Sequence, residues 1–362
     1  MVASDVSGPR PGEPSAPFLR ACWSLPVDRT PVWFMRQAGR FLPEYRAIRE
    51  QHSLLEICEQ PDLAAQVALL PVQQLGVDAA ILFADILLPL IPMGIDLKFS
   101  PGEGPVIHNP VRSSQDIARL RAFQPEEELA HVMEAIRILR GELPSEVPLI
   151  GFAGAPFTVA SYMVEGGPSR HHLATKSLML SEPKQWHRLM EKLTDVISAY
   201  LLAQVRAGAQ AIQLFDSWVG ALSPEDYCQF VKPHSASILQ SVAETGVPRI
   251  HFGTGTGSLL EAMQAAGGDV IGLDWRTPLD QAWQRLGPQV AIQGNLDPAA
   301  LLAPLPVLEG RVLEVLRRAG GRPGHIFNLG HGIYPQTPVE NARAVVEIVH
   351  AHRVKLALNS EA

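Results

Sequence analysis

The sequence contains few cysteines, and none of them belongs to a metal or redox motif. Its 362 residues include three cysteines, Cys22, Cys58 and Cys228, without a CxxC pair. This pattern excludes a disulfide framework and a thiolate zinc cluster. Scattered, unpaired cysteines are typical of a reducing compartment, so we expect a cytoplasmic protein.

The sequence also lacks an excess of basic charge. The 30 basic and 37 acidic side chains give a formal net charge of −7. A mildly acidic protein is not suited to hold nucleic acid or anionic lipid over a broad face, so we expect neither partner. Any anion site must therefore come from arginine and histidine side chains that are concentrated locally.

No segment has the character of a secretory signal or a membrane span. The N-terminus has no apolar core, so we expect a disordered lead-in over residues 1–17. The most apolar stretch, residues 79–95, contains Asp85, Pro89 and Pro92 and lacks basic flanks, which argues against a membrane span. With 46% hydrophobic and 19% charged residues, the chain is typical of a globular protein.

Apolar, strand-like segments alternate with helical ones along the chain. The segments span residues 32–35, 77–85, 148–154, 209–217, 248–254, 269–275, 289–295 and 325–332. Such alternation predicts parallel strands joined by right-handed crossovers, and eight units favour a closed barrel over an open sheet. We therefore predict an α/β fold with a single (β/α)8 barrel of the TIM type over residues 18–362, with helical insertions.

Polar residues occur where these segments end. In such barrels the active site lies at the carboxyl ends of the strands. The candidates at these ends are Arg36, Arg40, Asp85, Gly154, Pro156, Asp216, Ser217, Thr254, Asp274, Trp275, Asn295 and His331. If the barrel is correct, these residues share one rim.

Two arginines follow the first strand-like segment. Gly39 lies next to Arg40 and three residues after Arg36, and it lets the backbone bend close to a ligand. Guanidinium groups stay charged and present forked donors, so the pair suits a ligand rich in carboxylate or phosphate. The alternative is that both arginines form salt bridges with nearby acids, and residue chemistry alone favours neither.

Asp85 lies in an apolar stretch between Phe83 and Leu88. A carboxylate in such a setting is costly unless it is paired or hydrogen-bonded. It either caps backbone N–H groups or accepts hydrogen bonds from a ligand and stabilises developing positive charge. The sequence leaves both interpretations open.

Three further side chains also have more than one interpretation. His331 has a glycine on each side, which suits either the close approach of a ligand or a structural turn. Tyr162 follows the third strand, where packing alone explains an aromatic residue. Ser217 follows Asp216 without a GxSxG elbow, which argues against a hydrolase nucleophile.

Seven motifs resemble those of the uroporphyrinogen decarboxylase family, in the family's order and over nearly the whole chain after the lead-in. They are PVWFMRQAGRFLPEYR at 31–46, FADIL at 83–87, GFAGAPFTVASYMVEGG at 151–167, QLFDSWVG at 213–220, GLDW at 272–275, QGNLDP at 293–298 and NLGHGIYP at 328–335. The first is the most specific. The departures are small: Phe41 stands where tyrosine is usual, and Ala84 where serine is common.

The resemblance implies a carboxy-lyase of haem and tetrapyrrole biosynthesis that uses no cofactor and no metal. It would convert the four acetate arms of uroporphyrinogen III to methyl groups, giving coproporphyrinogen III and four CO2. It also implies a (β/α)8 barrel and a homodimer with facing clefts. Asp85 and Arg36 would be catalytic. The substrate-binding residues that it carries over are Arg36, Gln37, Ala38, Gly39, Arg40, Asp85, Tyr162, Ser217 and His331.

The implied substrate explains why such residues are needed. Arginines and His331 would hold its acidic arms through charge-assisted hydrogen bonds. Protonation of a pyrrole carbon makes the substrate its own electron sink, and Asp85 would stabilise the resulting cation. The proton could come from Arg36, from a bound acidic arm or from His331, and the sequence does not choose between them.

Two other functions fit a related barrel. A zinc-dependent methyltransferase acting on methylated corrinoid proteins needs a His-x-Cys pair near the end of the fifth strand. Here Phe252 and Gly253 follow His251, so that cysteine is missing. A catalytically silent barrel that only binds tetrapyrrole is the second alternative, and the intact Arg36, Arg40 and Asp85 argue against it.

Overall fold

The computed structural model describes residues 14–100 and 104–352. Residues 1–13 of the expected lead-in lie outside these ranges. The folded chain begins earlier than predicted, because Ala16 is buried and Pro17 opens the first helix. Proline is favourable at the first helical position, where its missing N–H has no partner within the helix. Phe18 follows it and is fully buried, which anchors this short helix to the core.

Helices fill most of the connections between strands. They are α1 (Pro17–Cys22), α2 (Pro43–Gln51), α3 (Leu54–Glu59), α4 (Pro61–Leu75), α5 (Ser114–Arg119), α6 (Pro125–Glu128), α7 (Ala130–Glu142), α8 (Pro156–Glu165), α9 (Leu173–Ser181), α10 (Pro183–Ala207), α11 (Pro224–Phe230), α12 (Lys232–Ala243), α13 (Leu260–Ala266), α14 (Leu279–Leu286), α15 (Leu305–Ala319) and α16 (Val339–Ala351). Short 3-10 helices cover Leu88–Leu90, Val219–Ala221 and Pro298–Leu302. None of the helices in the described ranges is both long and apolar enough to cross a bilayer.

The strands form a curled parallel sheet and a small separate hairpin. They are β1 (Ala80–Ile81), β2 (Leu97–Ser100), β3 (Gly104–Ile107), β4 (Leu149–Gly154), β5 (Ala211–Asp216), β6 (Arg249–Gly253), β7 (Val270–Gly272), β8 (Ala291–Gln293) and β9 (His325–Ile326). Within the described residues, seven strands join in the order β1-β4-β5-β6-β7-β8-β9, and every pair is parallel. Strands β2 and β3 pair with each other in antiparallel fashion.

The predicted first strand, residues 32–35, is not a regular strand. Val32 forms a single parallel bridge with Phe327, which follows β9 in the chain. The Val32 carbonyl accepts the N–H of Asp78, which precedes β1, at 2.8 Å. Several of its N–H groups donate to side chains instead of to a neighbouring strand. The Val32 N–H donates to Asp78 Oδ2 at 2.8 Å, and the Met35 N–H to Asn328 Oδ1 at 3.0 Å. The segment therefore touches both edges of the sheet without a continuous ladder.

A chain of buried polar side chains crosses the interior below the carboxyl edge. Trp33 Nε1 donates to Gln293 Oε1 at 3.0 Å, and Gln293 Nε2 donates to Gln213 Oε1 at 3.0 Å. All three residues are buried. The Gln213 side chain faces the interior, and side chains alternate between the two faces of a strand. Phe215 therefore also points inward, and Asp216 points toward the helices.

Helix α10 supports the sheet behind β4. Its buried residues include Trp186, Leu189, Leu193, Ile197 and Leu201, which recur at the three- and four-residue spacing of one helical face. This face packs against β4, α8 and α12. It therefore fixes the position of α8, which begins at the carboxyl end of β4.

Candidate active site

The side chains predicted from the strand ends converge around Arg36. Asp85 follows β1, Tyr162 lies on α8 just after β4, and His331 follows β9. Burial is the main influence on the pKa of each group, raising those of Asp85 and Tyr162 and lowering that of His331, and the positive charge of Arg36 acts to lower all three. Three elements that are far apart in sequence therefore bring their polar groups within electrostatic reach of one guanidinium.

The turn that carries Arg36 has an unusual backbone. Arg36 has φ +61°, in the left-handed region that non-glycine residues rarely adopt. Two glycines make room for it. A Cβ at Gly39 would lie 2.6 Å from the Arg36 carbonyl oxygen, and a Cβ at Gly332 would lie 2.9 Å from Arg36 Cγ. Backbone strain of this kind is common at functional sites, and here it directs a guanidinium out of the core.

Gln37 stabilises this turn from below. Its side chain is fully buried, Oε1 accepts the Phe34 N–H at 3.0 Å, and Nε2 donates to the Ala79 carbonyl at 3.0 Å. The side-chain amide is therefore committed to the fold, and the substrate contact expected of Gln37 stays a prediction. Ala38 is partly buried and has no polar side chain to offer.

Both predicted arginines keep their donors available. Arg36 and Arg40 are exposed, and neither guanidinium has an acidic partner within 4.0 Å among the described residues. The carbonyl of Arg40 accepts a hydrogen bond from Arg46 at 2.9 Å, which supports its backbone only. The alternative of salt bridges to neighbouring acids is therefore not what this part of the chain forms.

Asp85 is partly buried and unpaired. Its Oδ1 accepts the Leu87 N–H at 2.8 Å, so one oxygen acts as the expected local cap. No described Lys, Arg or His nitrogen lies within 4.0 Å of the carboxylate. Burial raises the pKa of Asp85, while the Leu87 N–H and the Arg36 charge oppose that rise. The cap interpretation therefore holds for Oδ1, and the ligand-binding interpretation stays a prediction for the other oxygen.

Tyr162 lies on α8 and stacks on Trp218, with ring centroids 4.0 Å apart and planes inclined by 29°. Burial and the nearby Asp85 charge raise its pKa to about 12, with Arg36 opposing them. The phenol therefore stays protonated at neutral pH and can donate a hydrogen bond. Sequence reasoning did not single out Trp218, although the residue lies inside the QLFDSWVG motif.

Ser217 is held beside this aromatic pair by its backbone. Its carbonyl accepts the Thr254 hydroxyl at 2.5 Å, and the next residue is Trp218. The Ser217 hydroxyl has no hydrogen-bond partner among the described residues. The Ser217 hydroxyl, at the end of β5, is thus available to donate and to accept a hydrogen bond.

His331 is partly buried, and its pKa is lowered. Burial is the main cause, and the charge of Arg36 adds to it. Its ring meets Trp275 edge to face at 6.5 Å. Arg276 lies 3.9 Å over the Trp275 ring, and its Nη1 donates to Asp274 at 2.7 Å. Arg276 is a cation that sequence reasoning missed, and the arginine directly after GLDW was the available signal.

These charges are arranged in a definite way. The charge of Arg36 acts on Asp85, whose carboxylate has no cationic partner within 4.0 Å among the described residues. The arrangement suits a ligand that is acidic at its edge and carries N–H groups or positive charge at its centre. Among the described residues, no group of three or more His, Cys, Asp or Glu side chains is placed to hold a metal ion.

The structure defines an α/β protein of the barrel class, with the candidate site at the carboxyl ends of its parallel strands. The sequence model of one family, described as Uroporphyrinogen decarboxylase (URO-D), matches residues 13–352. The chain belongs to this family.

Curated relatives extend this similarity over most of the chain. Uroporphyrinogen decarboxylase of Sorangium cellulosum is 61% identical over 334 residues, which cover 92% of this chain and 95% of the relative. The protein of the same name from Carboxydothermus hydrogenoformans is 58% identical, with coverages of 92% and 95%. That of Thermus thermophilus is 59% identical, with coverages of 92% and 96%.

Solved structures support the fold alone. A methyltransferase from Methanosarcina mazei superposes with a TM-score of 0.77 at 24% identity, and the match covers 92% of this chain and 96% of that one. A B12-independent methionine synthase from Shewanella superposes with a TM-score of 0.57 at 10% identity, covering 83% and 90%.

Proposed function

We propose that the protein catalyses the cofactor-free decarboxylation of uroporphyrinogen III. The four acetate arms become methyl groups, and the products are coproporphyrinogen III and four CO2. The observation that carries this proposal is the Asp85 carboxylate, which is partly buried, has no cationic partner within 4.0 Å among the described residues and feels the charge of Arg36. The family membership of the chain agrees with it.

The cationic groups bind the acidic arms of the substrate in this proposal. Arg36 and Arg40 donate charge-assisted hydrogen bonds to carboxylates, and His331 adds a neutral ring donor because its pKa is lowered. Tyr162 and Ser217 contribute hydroxyl groups to the same cleft. Ala38 and Gly39 let the turn approach an arm closely, while Gln37 keeps that turn in shape.

Asp85 binds the centre of the macrocycle. Its available oxygen accepts the inward pyrrole N–H groups, which favour the ionised form of the carboxylate as Arg36 does. A proton added to a pyrrole carbon creates a cation that can take up electrons. The bond between the methylene and carboxylate carbons then breaks, and CO2 leaves. The methylene carbon gains a proton to become methyl, and the ring gives back the proton that it first received.

The stabilisation of this cation is electrostatic. Asp85 is fixed before the charge develops, so little reorganisation is needed during the reaction. The first proton has three candidate sources, namely Arg36 in concert with an arm carboxylate, a bound acidic arm, and His331. Arg36 is a poor acid by itself, because a guanidinium does not readily lose its proton in proteins.

The proposed architecture is a complete (β/α)8 barrel that works as a cytoplasmic homodimer with facing clefts. Residues 31–35 would occupy the eighth strand position. Their hydrogen bonds to Phe327 on one side and to Asp78 on the other support this proposal. No cofactor, metal, nucleic acid or membrane partner is part of it.

The methyltransferase alternative lacks its ligands. His251 is fully buried on β6 and pairs in register with Leu214 of β5. Leu214 is next to the inward-facing Gln213 and so faces the helices, and His251 faces the same way. Burial lowers the pKa of His251 to about 4. A histidine on the helix side of the sheet, without the cysteine two positions later, cannot hold zinc in the cleft.

The test is anaerobic incubation with uroporphyrinogen III, followed by chromatography of the oxidised products. We expect a ladder from eight carboxylates down to four. Asp85→Ala should lower the rate at least about 100-fold, the usual loss when one preorganised electrostatic partner is removed. Asp195→Ala is the matched control, because Asp195 is exposed on α10.

Three outcomes are informative. Near wild-type turnover by Asp85→Ala would refute the electrostatic role of Asp85. Tight binding of uroporphyrinogen by the wild-type protein without release of CO2 would support a silent binder instead. Asp85→Glu tests placement, and we expect its rate to fall between those of the wild type and the alanine variant.

A further inference from the structure

A buried carboxyl group lies directly behind the wall of the cleft. Asp216 ends β5 and is fully buried, and the alternation along this strand turns it toward the helices. It therefore cannot touch a ligand in the cleft. The proposed reaction gives it no role, although its neighbour Ser217 belongs to the site.

Asp216 connects to the cleft through three contacts in series. Thr158, on α8, donates its hydroxyl to Asp216 Oδ1 at 3.0 Å. The same Thr158 oxygen accepts the Trp218 N–H at 3.2 Å. The Trp218 ring stacks on Tyr162 at a centroid distance of 4.0 Å. A single hydroxyl thus joins the buried carboxyl group to the backbone of the residue that supports Tyr162.

Within the described ranges, no charged side chain compensates Asp216. Its Oδ2 has no hydrogen-bond partner among the described residues. Burial raises the pKa of Asp216 to about 7, and hydrogen bonds from Thr158 oppose the rise. The facing titratable group is the phenol of Tyr227 on α11, whose pKa burial and the Asp216 charge raise. No Lys, Arg or His side chain of the described residues affects the pKa of Asp216.

We propose that Asp216 is a positioning residue, which acts through Thr158 and Trp218 to hold the Tyr162 phenol against the substrate. The inference rests on the proposed function, since that function gives Tyr162 a substrate to contact. Ionised Asp216 receives a charge-assisted hydrogen bond from Thr158, which is about twice as strong as a neutral one. The link to Tyr162 is therefore tightest in the ionised state.

The first test changes Thr158. Thr158→Val keeps the shape of the side chain and removes both hydrogen bonds, whereas Thr158→Ser keeps the hydroxyl. We expect kcat/KM for uroporphyrinogen III to fall about 3- to 10-fold in the valine variant, because the loss of these hydrogen bonds reaches the substrate only through Tyr162, and to recover in the serine variant. Thr194→Val is the control, because Thr194 is a buried threonine on α10 that donates to the Met190 carbonyl at 2.8 Å, away from the cleft.

A double-mutant cycle separates positioning from general loosening of the fold. Tyr162→Phe keeps the ring that stacks on Trp218 and removes the hydroxyl. If Thr158 acts through that hydroxyl, Thr158→Val should lower kcat/KM by less than 2-fold in the Tyr162→Phe protein. An equal fall in both backgrounds, or a fall no larger than that of Thr194→Val, would overturn the inference.

The second test uses pH. Asp216→Asn keeps an acceptor for Thr158 and cannot ionise. The ratio of wild-type to variant kcat/KM should be about 2- to 5-fold at pH 8 and approach 1 at pH 6, since the proton then neutralises Asp216 in the wild type. Titrations of the substrate and of His331 occur in both proteins and cancel in the ratio. A ratio that stays constant from pH 6 to 8 would overturn the proposal. If the wild-type protein releases no CO2, the proposed function fails instead.

Discussion

Replacing Asp216 with asparagine should change how the stability of the protein depends on pH. Burial raises the pKa of Asp216 from 3.8 to about 7. Between these pH values the folded protein keeps the proton and the unfolded chain loses it. The free energy of unfolding of the wild type therefore falls as pH rises through this range, and asparagine removes that fall.

The size of the effect follows from the shift. About 3 pKa units, at about 1.4 kcal/mol each, make the ionisation of Asp216 cost the folded state about 4 kcal/mol. This cost is absent below pH 3.8 and complete above pH 7. From pH 5 to pH 8, the wild type should lose about 3 kcal/mol relative to Asp216→Asn. Asparagine leaves a buried amide group without a partner, which costs about 1–3 kcal/mol at every pH.

The assay is urea unfolding at pH 5, 6, 7 and 8, at one protein concentration so that assembly contributes equally. The quantity of interest is the difference between the two unfolding free energies at each pH, because all other titrating groups cancel in it. Asp195→Asn, at an exposed position, should show no such trend. A difference between wild type and Asp216→Asn that does not vary with pH would refute the reasoning about the buried carboxyl group.

Two further substitutions test the geometry of the cleft. Gly332→Ala places a Cβ against the Arg36 side chain and should raise KM for uroporphyrinogen III at least about 10-fold, a loss of more than 1.4 kcal/mol of binding. Gly310→Ala is the control, because nothing lies within 4 Å of its new Cβ, and it should keep activity and stabilise α15 by about 0.5–1 kcal/mol. Equal KM values for Gly332→Ala and Gly310→Ala would contradict the close contact at Gly332. Arg276→Gln should raise KM about 3- to 10-fold through loss of a rim cation, and Arg317→Gln, on an exposed face of α15, should not. An unchanged KM in Arg276→Gln would exclude Arg276 from the rim.

The convergence of the site could be predicted from sequence because it depends on strand order and direction. Parallel strands end at one edge, so the polar residues after β1, β5 and β9 must lie on the same side of the sheet. Asp85, Ser217 and His331 were predicted on this basis, and each follows its strand. Apolar patterning and the motif order were sufficient for this inference.

The first strand and the role of Gln37 could not be predicted in the same way. Residues 32–35 have the apolar pattern of a strand, yet their N–H groups bond to the side chains of Asp78, Asn328 and Gln37. Two of these acceptors lie more than 40 residues away in the chain. A local pattern carries no information about such partners, nor about which way the side chain of a turn residue points.

The separation between the Arg36 guanidinium and the Asp85 carboxylate could not be predicted from the sequence, and the proposed function depends on it. Opposite charges in a partly buried site gain free energy by closing into an ion pair with good geometry. Here the charge of Arg36 opposes the rise that burial causes in the pKa of Asp85, yet no nitrogen of Arg36 lies within 4.0 Å of the carboxylate. The left-handed backbone of Arg36, the space over Gly332 and the Leu87 N–H on Asp85 hold them apart. A site shaped only for stability would have closed this gap. In the proposed function an acidic ligand with an N–H core fills this gap, because its arms satisfy the guanidinium while its centre satisfies the carboxylate.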